Sequence, residues 1–82
     1  MQNALEQHLS RYDRGGRLIR LRRVQDLTGL SRSYIYALAA QGRFPKSVAL
    51  VPGGTSRAWV ESEVFDWLEQ RIAERDLEAR HA

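Results

Sequence analysis

Arginine carries most of the chemistry this sequence offers. From Arg11 to Arg57 stand ten basic residues (Arg11, Arg14, Arg17, Arg20, Arg22, Arg23, Arg32, Arg43, Lys46 and Arg57) against Asp13 and Asp26, a net of +8. From Ala58 onward Arg71, Arg75 and Arg80 meet seven carboxylates, a net of −4; Glu6 supplies the remainder, and the whole chain stands at +3. A basic body with an acidic end is the electrostatic footprint of a polyanion binder. Arginine's planar fork suits that task, because two parallel N–H groups meet two acceptors of a phosphate or a guanine edge. The plainer reading of the same charges is a solvated surface.

Other chemistries find little support. The chain has no cysteine, which removes disulfides, thiolate zinc sites and a thiol nucleophile. His8 and His81 lie near the two ends and suggest no metal site. Glu61 and Glu63 are two residues apart, so on a helix they would not share a face. No phosphate-binding glycine loop is present. The expectation is a protein that is not an enzyme and needs no cofactor. With no signal peptide and no apolar run near the ~18 residues needed to span a bilayer, it is expected in the cytoplasm, associated with the nucleoid and without a membrane partner.

The elements that must position these arginines centre on residues 28–38. Gly29 predicts a tight turn, since glycine enters left-handed backbone without a Cβ clash. Ser31 is an N-cap candidate, its hydroxyl placed to accept from a free amide of the next turn. Ile35, Leu38 and Ala39 recur at helical spacing as one narrow apolar face. Ser33, Ala37 and Ala40 then point away from it, with Tyr36 on its shoulder. A helix that presents small and hydroxyl side chains outward beside an arginine can enter a DNA major groove. The alternative is an ordinary amphipathic surface helix.

Around that helix the chain reads in order. Residues 1–16 form an N-terminal arm, a short helix carrying Leu5, Leu9 and Tyr12 or a disordered leader, ending in a Gly15-Gly16 hinge. Residues 17–76 form one domain. An extended Arg17–Arg20 leads into a helix over Leu21–Thr28, with Leu21, Val24 and Leu27 inward and Arg22, Arg23 and Gln25 outward. Gly42 ends the second helix, as glycine commonly does just past a C-terminus. Phe44 is expected as a core plug. Two β-rich runs, 46–51 and 55–60, flank Pro52-Gly53-Gly54 and predict a hairpin. Thr55, Ser56 and Arg57 are placed at its tip. Ser62 is expected to cap a last helix, with an apolar stripe of Val64, Trp67, Leu68, Ile72 and Phe65. Trp59 and Trp67 bridge hairpin and helix, and residues 77–82 form a charged tail. The fold class is mainly α with a small β-hairpin, a winged helix-turn-helix.

At this point the residues resemble the AlpA family of prophage regulatory proteins. The resemblance lies in Arg17-Leu18-Ile19-Arg20-Leu21, Leu27 through Ser33, Ile35-Tyr36, Gly42 through Lys46, and Ala58 through Val64 with Trp67-Leu68. The order and spacing of these pieces over residues 17–72 carry it, since no single motif is specific. That family is similar to excisionases and to the DNA-binding domains of MerR-type regulators. The resemblance implies a small DNA-binding transcriptional regulator. It places Ser31, Arg32, Ser33 and Tyr36 in the recognition helix, and Arg43 and Lys46 on the approach to the wing. The chain departs from the family pattern at Ala37, where a basic residue is common, and at Tyr34, where a small hydroxyl is common.

Together these readings predict a regulator of transcription bound to double-stranded DNA. Arg32, Ser33 and Tyr36 would read base edges. Ser31, Arg22, Arg23, Arg43, Lys46, Thr55, Ser56 and Arg57 would hold the backbone from the helices and the wing. One small domain touches few base pairs, so a homodimer or a cooperative multimer on DNA is expected, with an integrase or RNA polymerase as further partner. Two alternatives share the fold: an excisionase-like factor that bends DNA, and a protein-interaction module that has lost DNA contact.

Overall fold

Strand pairing between the two ends of the basic segment fixes the architecture. The computed structural model describes residues 16–81, so the proposed N-terminal arm, His8 and the basic residues Arg11 and Arg14 lie outside the described residues. The elements run β1 (Leu18–Ile19), α1 (Leu21–Thr28), α2 (Arg32–Ala40), β2 (Val48–Ala49), β3 (Arg57–Val60) and α3 (Glu61–His81). β3 is the middle strand of a three-stranded antiparallel sheet in the order β1-β3-β2. Leu18 lies opposite Val60 and Ile19 opposite Trp59, while Val48 lies opposite Ala58 and Ala49 opposite Arg57. The fold is a winged helix-turn-helix, and the extended segment expected before α1 is itself a strand of the wing's sheet.

The turn between α1 and α2 is built as its residues dictate. Val24 faces the core, with Leu21 and Leu27 half-buried beside it. The Thr28 hydroxyl donates to the Val24 carbonyl (2.8 Å) and accepts from the Leu30 amide (3.2 Å), closing the helix end from the side chain. Gly29 then takes φ = 74° and donates its amide to the Gln25 carbonyl at 2.7 Å. A Cβ here would meet no atom within 4 Å, so the cost of substitution is backbone strain alone. Gly29→Ala is expected to lose about 1–2 kcal/mol and to lower the thermal midpoint by roughly 4–16 °C, read by circular dichroism. A midpoint within a degree of the parent would contradict a left-handed turn.

α2 begins on its predicted cap: Ser31 Oγ accepts from the Tyr34 amide at 3.2 Å. Ile35 and Leu38 are buried and Ala39 is half-buried. The C-terminus closes with a paired motif in which Gly42 donates to Ala39 (3.0 Å) and Arg43 to Leu38 (2.8 Å), with Gly42 at φ = 72°. Those two bonds satisfy carbonyls that the helix leaves open. The chain then drops Phe44 into the core as expected, beside Ile19, Val24, Ile35, Leu38, Trp59 and Val64.

Three expectations are corrected. The wing strands are shorter than 46–51 and 55–60, because past the Ala49–Arg57 pair the ladder keeps one bond, Leu50 N–H to Ser56 O at 3.0 Å, before the turn closes at Gly54. α3 starts at Glu61, so Ser62 lies inside its first turn rather than capping it. The Glu61 amide is instead taken by the Arg17 carbonyl at 2.7 Å, a partner that no local pattern announces. Finally, the apolar stripe of α3 is narrower than predicted. Val64 is buried, and Trp67 and Leu68 pack against the core, but Phe65 and Ile72 are exposed. Phe65 sits a quarter-turn from Val64 at about 100° per residue, and Ile72 falls on the same flank two turns later. The helix itself runs on without a break through residues 77–81.

Candidate nucleic-acid interface

α2 presents one continuous outward face. Its inward side is spent on Ile35 and Leu38, which leaves Arg32, Ser33, Tyr36, Ala37 and Ala40 exposed. Arg32 and Ser33 occupy the first turn. Ser31, one residue earlier, accepts from the Tyr34 amide, so its hydroxyl keeps only its proton to offer a phosphate. Ala37 and Ala40 add no donor or acceptor and let another surface approach closely.

Tyr36 is bound up with its neighbours. Its ring meets the Trp59 ring edge to face, with centroids 5.9 Å apart and planes at 63°. The Arg32 guanidinium carbon lies 5.8 Å from the Tyr36 ring centroid. Arg32 and Tyr36 are one helical turn apart, the spacing at which side chains meet on a helix.

The remaining cations divide by what already holds them. Arg17 grips Glu61 with two bonds, Nε to Oε1 and Nη2 to Oε2, both 3.2 Å. Arg23 approaches the same carboxylate, Nε to Oε2, at 3.9 Å. Glu61 is buried, and two cations with the N-terminal end of α3 compensate its charge there. Arg57 is not at the wing tip as expected. It belongs to β3, and its guanidinium reaches back to Ser47, donating to Oγ at 2.9 Å and to the carbonyl at 3.4 Å. Thr55 and Ser56 are exposed in the connection itself, together with Leu50 and Val51.

Arg20, Arg22, Arg32, Arg43 and Lys46 are exposed and have no carboxylate partner among the described residues. Between Gly16 and Val60 the sequence holds a single acid, Asp26. Arg43 is fixed in place from the far side, since the Trp67 indole N–H donates to its carbonyl at 2.7 Å and Trp67 stacks edge to face on Phe44 with centroids 4.8 Å apart. Arg20 was not singled out in the sequence, although it follows β1 at an exposed position and stands directly before α1. Glu61 was also missed; its signal was a carboxylate directly after an apolar strand, where burial demands partners.

The wide groove of about 1060 Å³ between the end of α2, β2 and α3 has a different character. Arg43, Lys46 and Arg71 line it, but so do Glu63 and Asp66, and Arg32 and Ser33 do not. A wall of mixed charge does not select a polyanion. Among the described residues no group of three histidine, cysteine or carboxylate side chains could hold a metal ion, and no helix is long and apolar enough to cross a membrane.

Comparison with known proteins reports on the same segment. A family model described as Prophage CP4-57 regulatory protein (AlpA) matches residues 17–72, from the start of β1 into the middle of α3. The chain is 49% identical over 59 residues to the uncharacterized protein ORF88 of Enterobacteria phage P4. That alignment covers 72% of this chain and 65% of the phage protein. No solved structure matches. With β1, both helices of the turn, the wing and the first half of α3 inside the matched range, the chain belongs to the family of the prophage regulatory protein AlpA.

Proposed function

We propose that the chain binds double-stranded DNA sequence-specifically and regulates transcription, with α2 in the major groove and the wing along the backbone. The observation that carries this reading is the division of charge: among the described residues Arg20, Arg22, Arg32, Arg43 and Lys46 are exposed with no carboxylate partner, and the outward face of α2 holds no acid. A nine-residue helix is about 13 Å long, and the major groove admits a helix. Arg20, Arg22, Arg43 and Lys46 hold phosphates and set the register on the duplex. Arg32 takes a guanine edge through its fork, and the Ser33 hydroxyl contacts a neighbouring base or phosphate. Thr55 and Ser56 add neutral donors at the wing.

Selection of bound fragments from a genomic library tests the reading, because it returns a shared sequence if base edges are read. Arg32→Ala is expected to cost about 1–3 kcal/mol of discrimination at one base pair, about 5- to 150-fold, while Ser33→Ala shifts preference less. Both are measured by anisotropy against single-base variants of the selected site. If the two substitutions weaken every duplex alike, α2 is not the reading helix. If the parent chain binds no duplex at low salt, the winged fold serves a protein partner instead.

A further inference from the structure

We infer that Tyr36 is a positioning residue: its ring, braced by buried Trp59, holds the Arg32 guanidinium in the orientation in which it meets a guanine. This rests on α2 being the DNA-facing helix and assigns a different role to the side chain that the sequence placed among the base readers. Arg32 Cζ lies 5.8 Å from the Tyr36 centroid, within the range of a cation–π contact. The platform is not itself free to turn, since Tyr36 meets Trp59 edge to face at 5.9 Å and Trp59 is 1% exposed. The core thereby fixes a ring on the surface, and the ring restricts an arginine.

The consequence follows from how arginine recognises a base. A free arginine samples many rotamers, and ordering it opposes every bidentate contact. Stacking uses the face of the guanidinium and leaves its in-plane N–H groups open, so the plane is set while the donors stay available. The other arginines show the contrast. Arg71 also lies over a ring, 5.7 Å from the Trp67 centroid, but its Nη2 is bonded to Glu74 at 2.6 Å. Arg57 spends its donors on Ser47. Among the described residues, Arg32 is the arginine that lies over a ring with no hydrogen bond or ion pair at its edge.

The test compares Tyr36→Leu, Tyr36→Phe and Arg32→Lys with the parent, on the selected duplex, on its single-base variants and on random-sequence duplex. Tyr36→Leu is expected to lower discrimination at the Arg32 base pair by about two- to fivefold, leaving random-sequence affinity and its salt slope unchanged because no charge is removed. Tyr36→Phe keeps the ring and the discrimination. Arg32→Lys keeps the charge but loses the fork, so discrimination falls while the salt slope holds. In the protein without DNA, the Arg32 δ-protons are expected to show a ring-current shift by NMR that Tyr36→Phe retains and Tyr36→Leu abolishes. A merely structural tyrosine would lower the thermal midpoint and all affinities together. Full discrimination in Tyr36→Leu, or equal loss in Tyr36→Phe and Tyr36→Leu, overturns the assignment. Duplex binding with unshifted Arg32 δ-protons overturns the assignment alone, whereas no duplex binding by the parent chain overturns the DNA reading as well.

Discussion

Raising monovalent salt from about 50 to 200 mM is expected to weaken duplex binding roughly 150-fold, from a log–log slope of about −3.6 at about −0.9 per phosphate contacted. The slope counts the contacts made by Arg20, Arg22, Arg43 and Lys46, whose charges no carboxylate holds among the described residues. Arg23 is left out because Glu61 holds it, and Arg57 because its donors are committed to Ser47. Arg43→Ala should flatten the slope to about −2.7, which leaves a fall of roughly 40-fold over the same range. Arg23→Ala should leave the slope alone. Anisotropy titrations on random-sequence duplex at several salt concentrations measure all three. A slope near about −5.4 would mean that Arg23 and Arg57 abandon their partners on DNA. A flat line would remove the polyanion from the account altogether.

That sorting of cations is where the sequence stops being informative. Everything governed by neighbours in the chain was legible: the Leu21-Val24-Leu27 spacing of α1, the left-handed Gly29, the Ser31 cap and the glycine that closes α2. These depend on backbone preferences and on hydrogen bonds reaching no more than a few residues. What was not legible depends on pairs brought together by folding. The Glu61 amide and carboxylate are both claimed by Arg17, 44 residues earlier, and that contact moved the start of α3 and removed Arg17 and Arg23 from the free cations. The run Val60-Glu61-Ser62-Glu63 marks a carboxylate directly after an apolar strand but does not name Arg17 as its partner, so the serine cap reads equally well from it. Arg57 failed for a similar reason: a polar run after two glycines marks a turn, but pairing of Ala49 with Arg57 decides which residue still belongs to the strand. For the site, helical periodicity was enough to put Ser33, Ala37 and Ala40 outward with Tyr36 on the shoulder, and the family resemblance added Arg32. It could not show that Tyr36 leans on Trp59, because that contact joins α2 to β3.

Trp59→Ala is expected to remove most of the stability of the domain. Trp59 is the largest fully buried side chain, at the centre of the sheet and among Ile19, Val24, Ile35 and Val64. Truncating such a residue costs about 3–5 kcal/mol, where about 0.05–0.15 kcal/mol per residue gives a chain this short about 4–12 in total. At about 1–2 kcal/mol per molar, the urea midpoint should fall by about 1.5–5 M. Trp59→Phe should behave differently. The Trp59 indole N–H is buried with no hydrogen-bond acceptor, unlike that of Trp67, which has the Arg43 carbonyl. An unmet buried donor costs about 1–3 kcal/mol, so removing it offsets the lost volume, and the variant should stay within about 1 kcal/mol of the parent. Equal losses in the two variants would show that the buried indole N–H does not carry this cost. Trp59→Leu separates packing from orientation: it keeps apolar volume but takes away the ring edge on which Tyr36 rests. If it folds and binds random-sequence duplex normally yet discriminates less at the Arg32 base pair, the core's influence on recognition passes through ring geometry rather than through stability.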